Sequence, residues 1–206
     1  MDIKEKNIEA YGKIASDYSQ RNFDHFWIDE FDFYKRSING KKVIDLGCGA
    51  GRDASVFVEN GFDYLGIDAS EEMLKVAKGR VPKGKFQQID FGKTVFPDSS
   101  FDGFWAAASF LHVPKKDIDN ILQEANRITK DGGIGFISVK EKTEMDEGEI
   151  KEDKFGGISR YFSFYTENEF KDLLERNGFS IVNISNRTEN DERKTKWLCY
   201  FVKIVK

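Results

Sequence analysis

The residues whose types and spacing best suit chemistry stand in one stretch, Val43-Ile44-Asp45-Leu46-Gly47-Cys48-Gly49-Ala50-Gly51-Arg52-Asp53, and at Asp68. Glycines at 47, 49 and 51 let a backbone turn sharply off a strand and approach a ligand closely, and a following helix offers free N–H groups to an anion. In the dinucleotide spacing G-x-G-x-x-G the third glycine falls at position 52, which is Arg, so a nicotinamide-dependent oxidoreductase loses one of its three glycines. Asp68 ends a second strand at about the ~20-residue distance where an acid takes the ribose hydroxyls of an adenosine cofactor. Ser70 is available to cap the next helix, which frees Asp68. Asp45, inside a buried strand end, must be satisfied by a ligand amine or by nearby backbone N–H groups.

Proton transfer has few candidates, because the chain holds only His25 and His112. His112 follows a strand at the sheet rim and is the better placed base, with capping of the next helix, a loop hydrogen bond or a place beside the cofactor as its structural alternatives. Cys48 and Cys199 lie far apart in no metal-ligand or disulfide pattern, so no metal site is expected.

These residues need a scaffold. Ile8, Tyr11, Ile14, Ala15 and Tyr18 at three-and-four spacing, followed by Phe23, Phe26, Trp27, Phe31, Phe33 and Tyr34, predict a helical cap over residues 1–40. Short apolar runs at 43–46, 64–67, 85–89, 101–107 and 134–139 predict strands, and the helical patterns between them demand a parallel sheet covered on both faces. The class is α/β. Ile118, Ile121, Leu122, Ala125 and Ile128 mark the clearest amphipathic helix, ending before Asp131-Gly132-Gly133. The charge-rich stretch 140–160, with its Gly156-Gly157 pair, reads as an inserted surface loop. A helix over 167–177 and strands at 179–184 and 196–205, too closely spaced for a crossover, predict a C-terminal antiparallel hairpin.

With 206 residues and a net charge of -4, the chain suits one domain with a real core, and 19 Phe suggest that aromatic rings fill it. It divides into the cap (1–40), a cofactor-binding core (41–139), the inserted loop and substrate-side segment (140–165) and the C-terminal helix and hairpin (166–206). No run approaches the ~18–20 apolar residues of a membrane helix, and Met1-Asp2-Ile3-Lys4-Glu5-Lys6 lacks a signal-peptide core. A cytoplasmic location is expected. The acidic balance disfavours a nucleic-acid partner.

Asp45-Leu46-Gly47-Cys48-Gly49-Ala50-Gly51 closely resembles the first motif of the class I S-adenosylmethionine-dependent methyltransferases, and Gly66-Ile67-Asp68-Ala69-Ser70-Glu71-Glu72-Met73-Leu74 resembles their second. The likeness runs on through Gln88-Ile89-Asp90-Phe91, Phe96-Pro97-Asp98-Ser99-Ser100-Phe101-Asp102, Ser109-Phe110-Leu111-His112-Val113 and Asp131-Gly132-Gly133. The tail, from Arg160-Tyr161-Phe162 through Tyr165 to Gly178-Phe179, is similar to the small-molecule subgroup that includes ubiquinone and menaquinone methyltransferases. The resemblance implies a Rossmann-like, doubly wound seven-stranded sheet of order 3-2-1-4-5-7-6 with strand 7 antiparallel. It implies that Asp45, Gly47, Cys48 and Gly49 border the methionine part of S-adenosylmethionine, that Asp68, with Ala69, takes the ribose hydroxyls, and that Met73 packs on the adenosine. Asp90 would accept from the adenine amino group beside Phe91, and Ala107 and Ser109 would approach the methionyl end.

Methyl transfer from a sulfonium depends mainly on aligning the nucleophile with the methyl. A hydroxyl or ammonium acceptor must also lose a proton, for which His112 is the candidate. Tyr11, Tyr18 and Arg21 would form part of a lid, where aromatic faces suit a sulfonium, with core packing as the alternative. Arg160, Tyr161 and Tyr165 either line the acceptor pocket or pack in a strand. The expected function is methylation of an O or N atom of a small molecule by a monomer or homodimer. A non-catalytic cofactor-binding protein and a nicotinamide-dependent oxidoreductase are the alternatives.

Overall fold

The computed structural model describes residues 2–21, 27–189 and 194–206, so Phe23, His25 and Phe26 lie outside the described residues. Five parallel strands form the heart of the sheet: β1 (Lys42–Leu46), β2 (Asp63–Asp68), β3 (Lys85–Gln88), β4 (Phe101–Ala107) and β5 (Thr129–Glu141), in the order β3-β2-β1-β4-β5. Two C-terminal strands, β8 (Phe179–Thr188) and β9 (Lys196–Ile204), complete it, with β9 antiparallel to β5 and β8 on its outer side. The expected seven-stranded order is present, with β8 and β9 as its sixth and seventh strands.

Segment 140–160 is not a surface loop. It carries β6 (Glu147–Glu152), which forms an antiparallel hairpin with β7 (Ile158–Tyr165), and β7 joins the far end of β5 in parallel through Lys140↔Phe164 and Glu141↔Tyr165. The Gly156-Gly157 pair, at φ +67° and +74°, makes the turn. The fifth strand also starts earlier than expected, at Thr129, because Asp131-Gly132-Gly133 forms a bulge and the pairing jumps from Phe101↔Thr129 to Gly103↔Ile134.

Aromatic rings fill the core as the phenylalanine count suggested. Trp105 and Phe136, on neighbouring strands, stack at 4.0 Å between centroids, and Tyr34 and Phe57 meet Trp105 edge to face. Among the described residues six α-helices cover the sheet: α1 (Ile3–Arg21), α2 (Ile28–Ser37), α3 (Ala54–Glu59), α4 (Glu71–Arg80), α5 (Ile118–Ile128) and α6 (Glu167–Arg176). On α5 the predicted apolar face is the buried one, and α6 starts with a capping box between Thr166 and Glu169. Ala15 of α1 packs on Ala50 and Met73, which lays the first helix across the C-terminal ends of β1 and β2.

Candidate functional site

The site begins where β1 and β2 end. Gly47, Gly49 and Gly51 all have positive φ, +82°, +52° and +77°. At Gly47 a Cβ would lie 2.6 Å from that of Ser109, so only glycine lets this loop and the segment after β4 come so close. Asp68 clamps the arrangement: one carboxylate oxygen accepts from the Gly49 N–H at 2.9 Å and the other from the Ser70 N–H at 2.8 Å. Ser70 caps α4 through its own hydroxyl, so Asp68 keeps its place on the cavity wall.

A cavity of about 800 Å³ opens over these strand ends. It is lined by Tyr18, Asp45, Gly47, Cys48, Gly49, Asp68, Ala69, Met73, Asp90, Phe91, Ala107 and Ser109, and by Tyr11 and His112. The N–H groups of Gly47 and Cys48 both donate to Ile67 O, and that of Gly51 to Cys48 O. With Gly49 held by Asp68, the N–H groups of Gly47, Cys48, Gly49 and Gly51 are all taken up inside the chain. Three carboxyl groups, Asp45, Asp53 and Asp68, line the cavity together with Arg52. Arg52 neutralises Asp53, so Asp68, and Asp45 once it loses its proton, are the carboxyls left to face a cation.

Burial, reinforced by the charge of Asp53, pushes the Asp45 carboxyl up to about 8, although Tyr64 Oη donates to it at 2.7 Å. Asp68 is also raised by burial, against the N–H groups that hold its anion. Arg52, at the missing-glycine position, forms a two-point pair with Asp53 at 2.8 and 2.9 Å. Ser19 and Ser109 line the cavity with buried hydroxyls that have no protein partner, and buried polar groups of that kind ordinarily find a ligand or water. Asp90 has both oxygens engaged, one by the Gly92 N–H at 2.9 Å and one by Lys4 of α1 at 2.9 Å.

His112 is fixed at both nitrogens. Nδ1 lies 2.8 Å from the Tyr161 carbonyl, which can only accept, so Nδ1 carries the proton and Nε2 takes the Tyr11 hydroxyl at 2.7 Å. Burial, with the charges of Arg160 and Lys140 adding to it, lowers the imidazole to about 3.

Four of the anticipated residues stand outside the cavity lining. Arg21 is exposed at the end of α1. Arg160 is buried in an ion pair with Glu152, and Tyr161 turns its hydroxyl to Glu147. Tyr165 is fully buried against Phe170. The last three lie on β7, which matches the strand-packing alternative. Conversely, Ser19, Arg52 and Asp53 line the cavity unanticipated. So does Ala108, held at φ +57° while its N–H donates to Ser138 Oγ at 2.8 Å. The Arg52-Asp53 adjacency was visible, whereas nothing in the sequence marked Ala108.

The chain matches known proteins over this architecture. A family profile described as Methyltransferase domain matches residues 44–137. The ubiquinone biosynthesis O-methyltransferase of Pelagibacter ubique is 30% identical over 68% of this chain and 67% of its own. The chain belongs to the class I S-adenosylmethionine-dependent methyltransferases. A sterol 24-C-methyltransferase of Gibberella zeae is 27% identical over 77% of this chain and 44% of its own. The chain spans about half the length of the first curated relatives it matches. Among solved structures, a Burkholderia thailandensis 1,6-didemethyltoxoflavin-N1-methyltransferase with bound S-adenosylhomocysteine has a TM-score of 0.67 at 19% identity, covering 97% of this chain and 91% of its own. It shares the fold. The methyltransferase cofactor carries a sulfonium and an ammonium, and Asp45 and Asp68, the rings of Tyr11 and Tyr18, and the two orphan serine hydroxyls fit such a group.

Proposed function

We propose that the protein transfers a methyl group from S-adenosylmethionine to an oxygen or nitrogen atom of a small molecule. The observation that carries this reading is the pair of carboxyls Asp45 and Asp68, both raised by burial and with no salt bridge among the described residues, beside a glycine loop whose Gly47, Cys48, Gly49 and Gly51 N–H groups are engaged. A cationic donor suits that pair; a dinucleotide diphosphate does not. When bound, the cofactor supplies an activated electrophilic methyl group.

The chain's own residues then hold and orient. Asp68 takes the ribose hydroxyls while keeping Gly49 in place, Asp90 exchanges Lys4 for the adenine amino group, and Asp45 faces the methionyl ammonium. Phe91 and Met73 pack on the adenosine, and Ala107 and Ser109 approach the methionyl end. Tyr11 and His112 stand at the wall where a proton must leave. The relatives whose names give a small-molecule acceptor support that class of substrate.

The test is incubation of the purified protein with methyl-labelled S-adenosylmethionine and a small-molecule extract. Label in a new small molecule, absent with Asp68→Ala, supports the proposal. Tight cofactor binding with no label transferred to any fraction favours a non-catalytic binding protein.

A further inference from the structure

We propose that Arg160 is a positioning residue for proton removal from the methyl acceptor, fixing the Tyr11 hydroxyl so that it donates to Nε2 of His112 and keeps one lone pair for an acceptor O–H or N–H. This rests on the methyltransferase reading above.

Arg160 reaches from β7 beneath α1 and is 5% exposed. Glu152 on β6 neutralises it, and its guanidinium lies over the Tyr11 ring at 4.8 Å from the centroid. Its Nη1 donates to the Tyr11 hydroxyl oxygen at 2.6 Å. The direction of every hydrogen in the chain is therefore set. Arg160 can only donate, so Tyr11 accepts from it; the Tyr161 carbonyl can only accept, so His112 carries its proton on Nδ1 and offers Nε2; the Tyr11 O–H must then point to Nε2. A hydroxyl oxygen has two lone pairs, and Arg160 uses one. The second is available to an acceptor in the cavity that Tyr11 and His112 both line.

During transfer the acceptor atom bonds to the methyl carbon as the carbon–sulfur bond breaks and its electron pair passes to sulfur. The acceptor's proton moves to the Tyr11 oxygen, and the proton that Tyr11 carried moves to Nε2, leaving imidazolium to exchange with water. Arg160 never touches the acceptor. It holds Tyr11 in line and, with Lys140, disfavours a protonated His112 before reaction.

The test uses 15N-histidine-labelled protein bound to S-adenosylhomocysteine, where two histidines give a simple spectrum. In the unsubstituted protein His112 should be protonated on Nδ1 alone at neutral pH, with an Nε2 shift that changes in Tyr11→Phe. Arg160→Met should move the Nε2 shift toward the Tyr11→Phe value and raise the His112 titration, and Arg160→Lys should recover part of both. S-adenosylhomocysteine affinity should stay within about threefold throughout. If Arg160→Met alone does not fold, the Glu152→Gln/Arg160→Met pair, which removes both buried charges, is read by the Nε2 shift alone. A proton on Nε2 in the unsubstituted protein, or an unchanged His112 signal and titration without Arg160, overturns the proposal. Failure to bind S-adenosylhomocysteine overturns the methyltransferase reading instead, and the unliganded spectra still decide the role of Arg160.

Discussion

The Tyr11 hydroxyl lies 2.7 Å from Nε2 of His112, so one proton joins the first helix to the segment that follows β4. An imidazole lowered to about 3 is a weak base, yet it suffices for one kind of acceptor. A neutral hydroxyl that attacks a methyl group becomes an oxonium far more acidic than any imidazolium, whereas an alkylated amine becomes an ammonium that holds its proton. Of the two acceptor atoms proposed, oxygen is therefore the one expected. With a carbon-13 methyl donor and a small-molecule extract, the product resonance is expected in the O-methyl region, and an N-methyl or C-methyl resonance would contradict this.

Loss of the imidazole should act on turnover and not on cofactor capture. His112→Ala is expected to lower kcat by on the order of 10²-fold or more, the usual scale for a lost general base, with S-adenosylhomocysteine affinity changed by less than about threefold. Steady-state rates and calorimetry on the same preparation check both, and undiminished turnover removes His112 from the proton path.

Asp45 links pH to stability. Its folded pKa of about 8 lies above the ordinary value of 3.8, so the protonated form is favoured by folding. The stabilisation from that site is fully present below about pH 4 and is lost as pH rises through about 8. Denaturant unfolding between pH 5 and pH 9 should show the protein losing stability relative to Asp45→Asn; parallel curves would remove the effect. A cation bound beside Asp45 must also expel its proton, so binding heats at neutral pH should depend on the ionisation enthalpy of the buffer.

Asp68→Ala should weaken cofactor binding by about 10- to 100-fold, the scale of lost hydrogen bonds to a charged group. Part of that loss comes from the freed Gly49 and Ser70 N–H groups, because the same carboxylate holds both. Unchanged affinity would take Asp68 out of the site.

Gly49→Val should abolish binding, since φ +52° is rarely open to a β-branched residue and the new side chain would stand at the cavity wall. Gly79→Ala supplies the control. It lies in α4 with no neighbour within 4 Å of an added Cβ, and should bind normally with a gain of roughly 0.5–1 kcal/mol in stability.

Much of this site was legible because it depends on local rules. The glycine loop, Asp68 and the apolar face of α5 each announce themselves by spacing within one element. The β6–β7 hairpin did not. On β6 the exposed residues Glu147, Glu149 and Lys151 alternate with Gly148, Ile150 and Glu152, so the inward face holds one apolar side chain and a buried acid. That acid is buried against Arg160, across the Gly156-Gly157 turn, with Lys154 near its other oxygen. A hydropathy pattern cannot register an ion pair that exists only after the strands have met, so the strand looked like solvated loop. The same limit hid the partners of the glycine-loop N–H groups: spacing marks the turn, but only the folded chain brings Ile67 O, Cys48 O and the Asp68 carboxylate to them.

The most direct test of the central claim is a calorimetric titration of the purified protein with S-adenosylmethionine, S-adenosylhomocysteine and NAD side by side, after removal of any copurified ligand. The account predicts roughly micromolar Kd values for the first two and no detectable heat with NAD. Binding of NAD alone, or of none of the three by a folded protein, would contradict it.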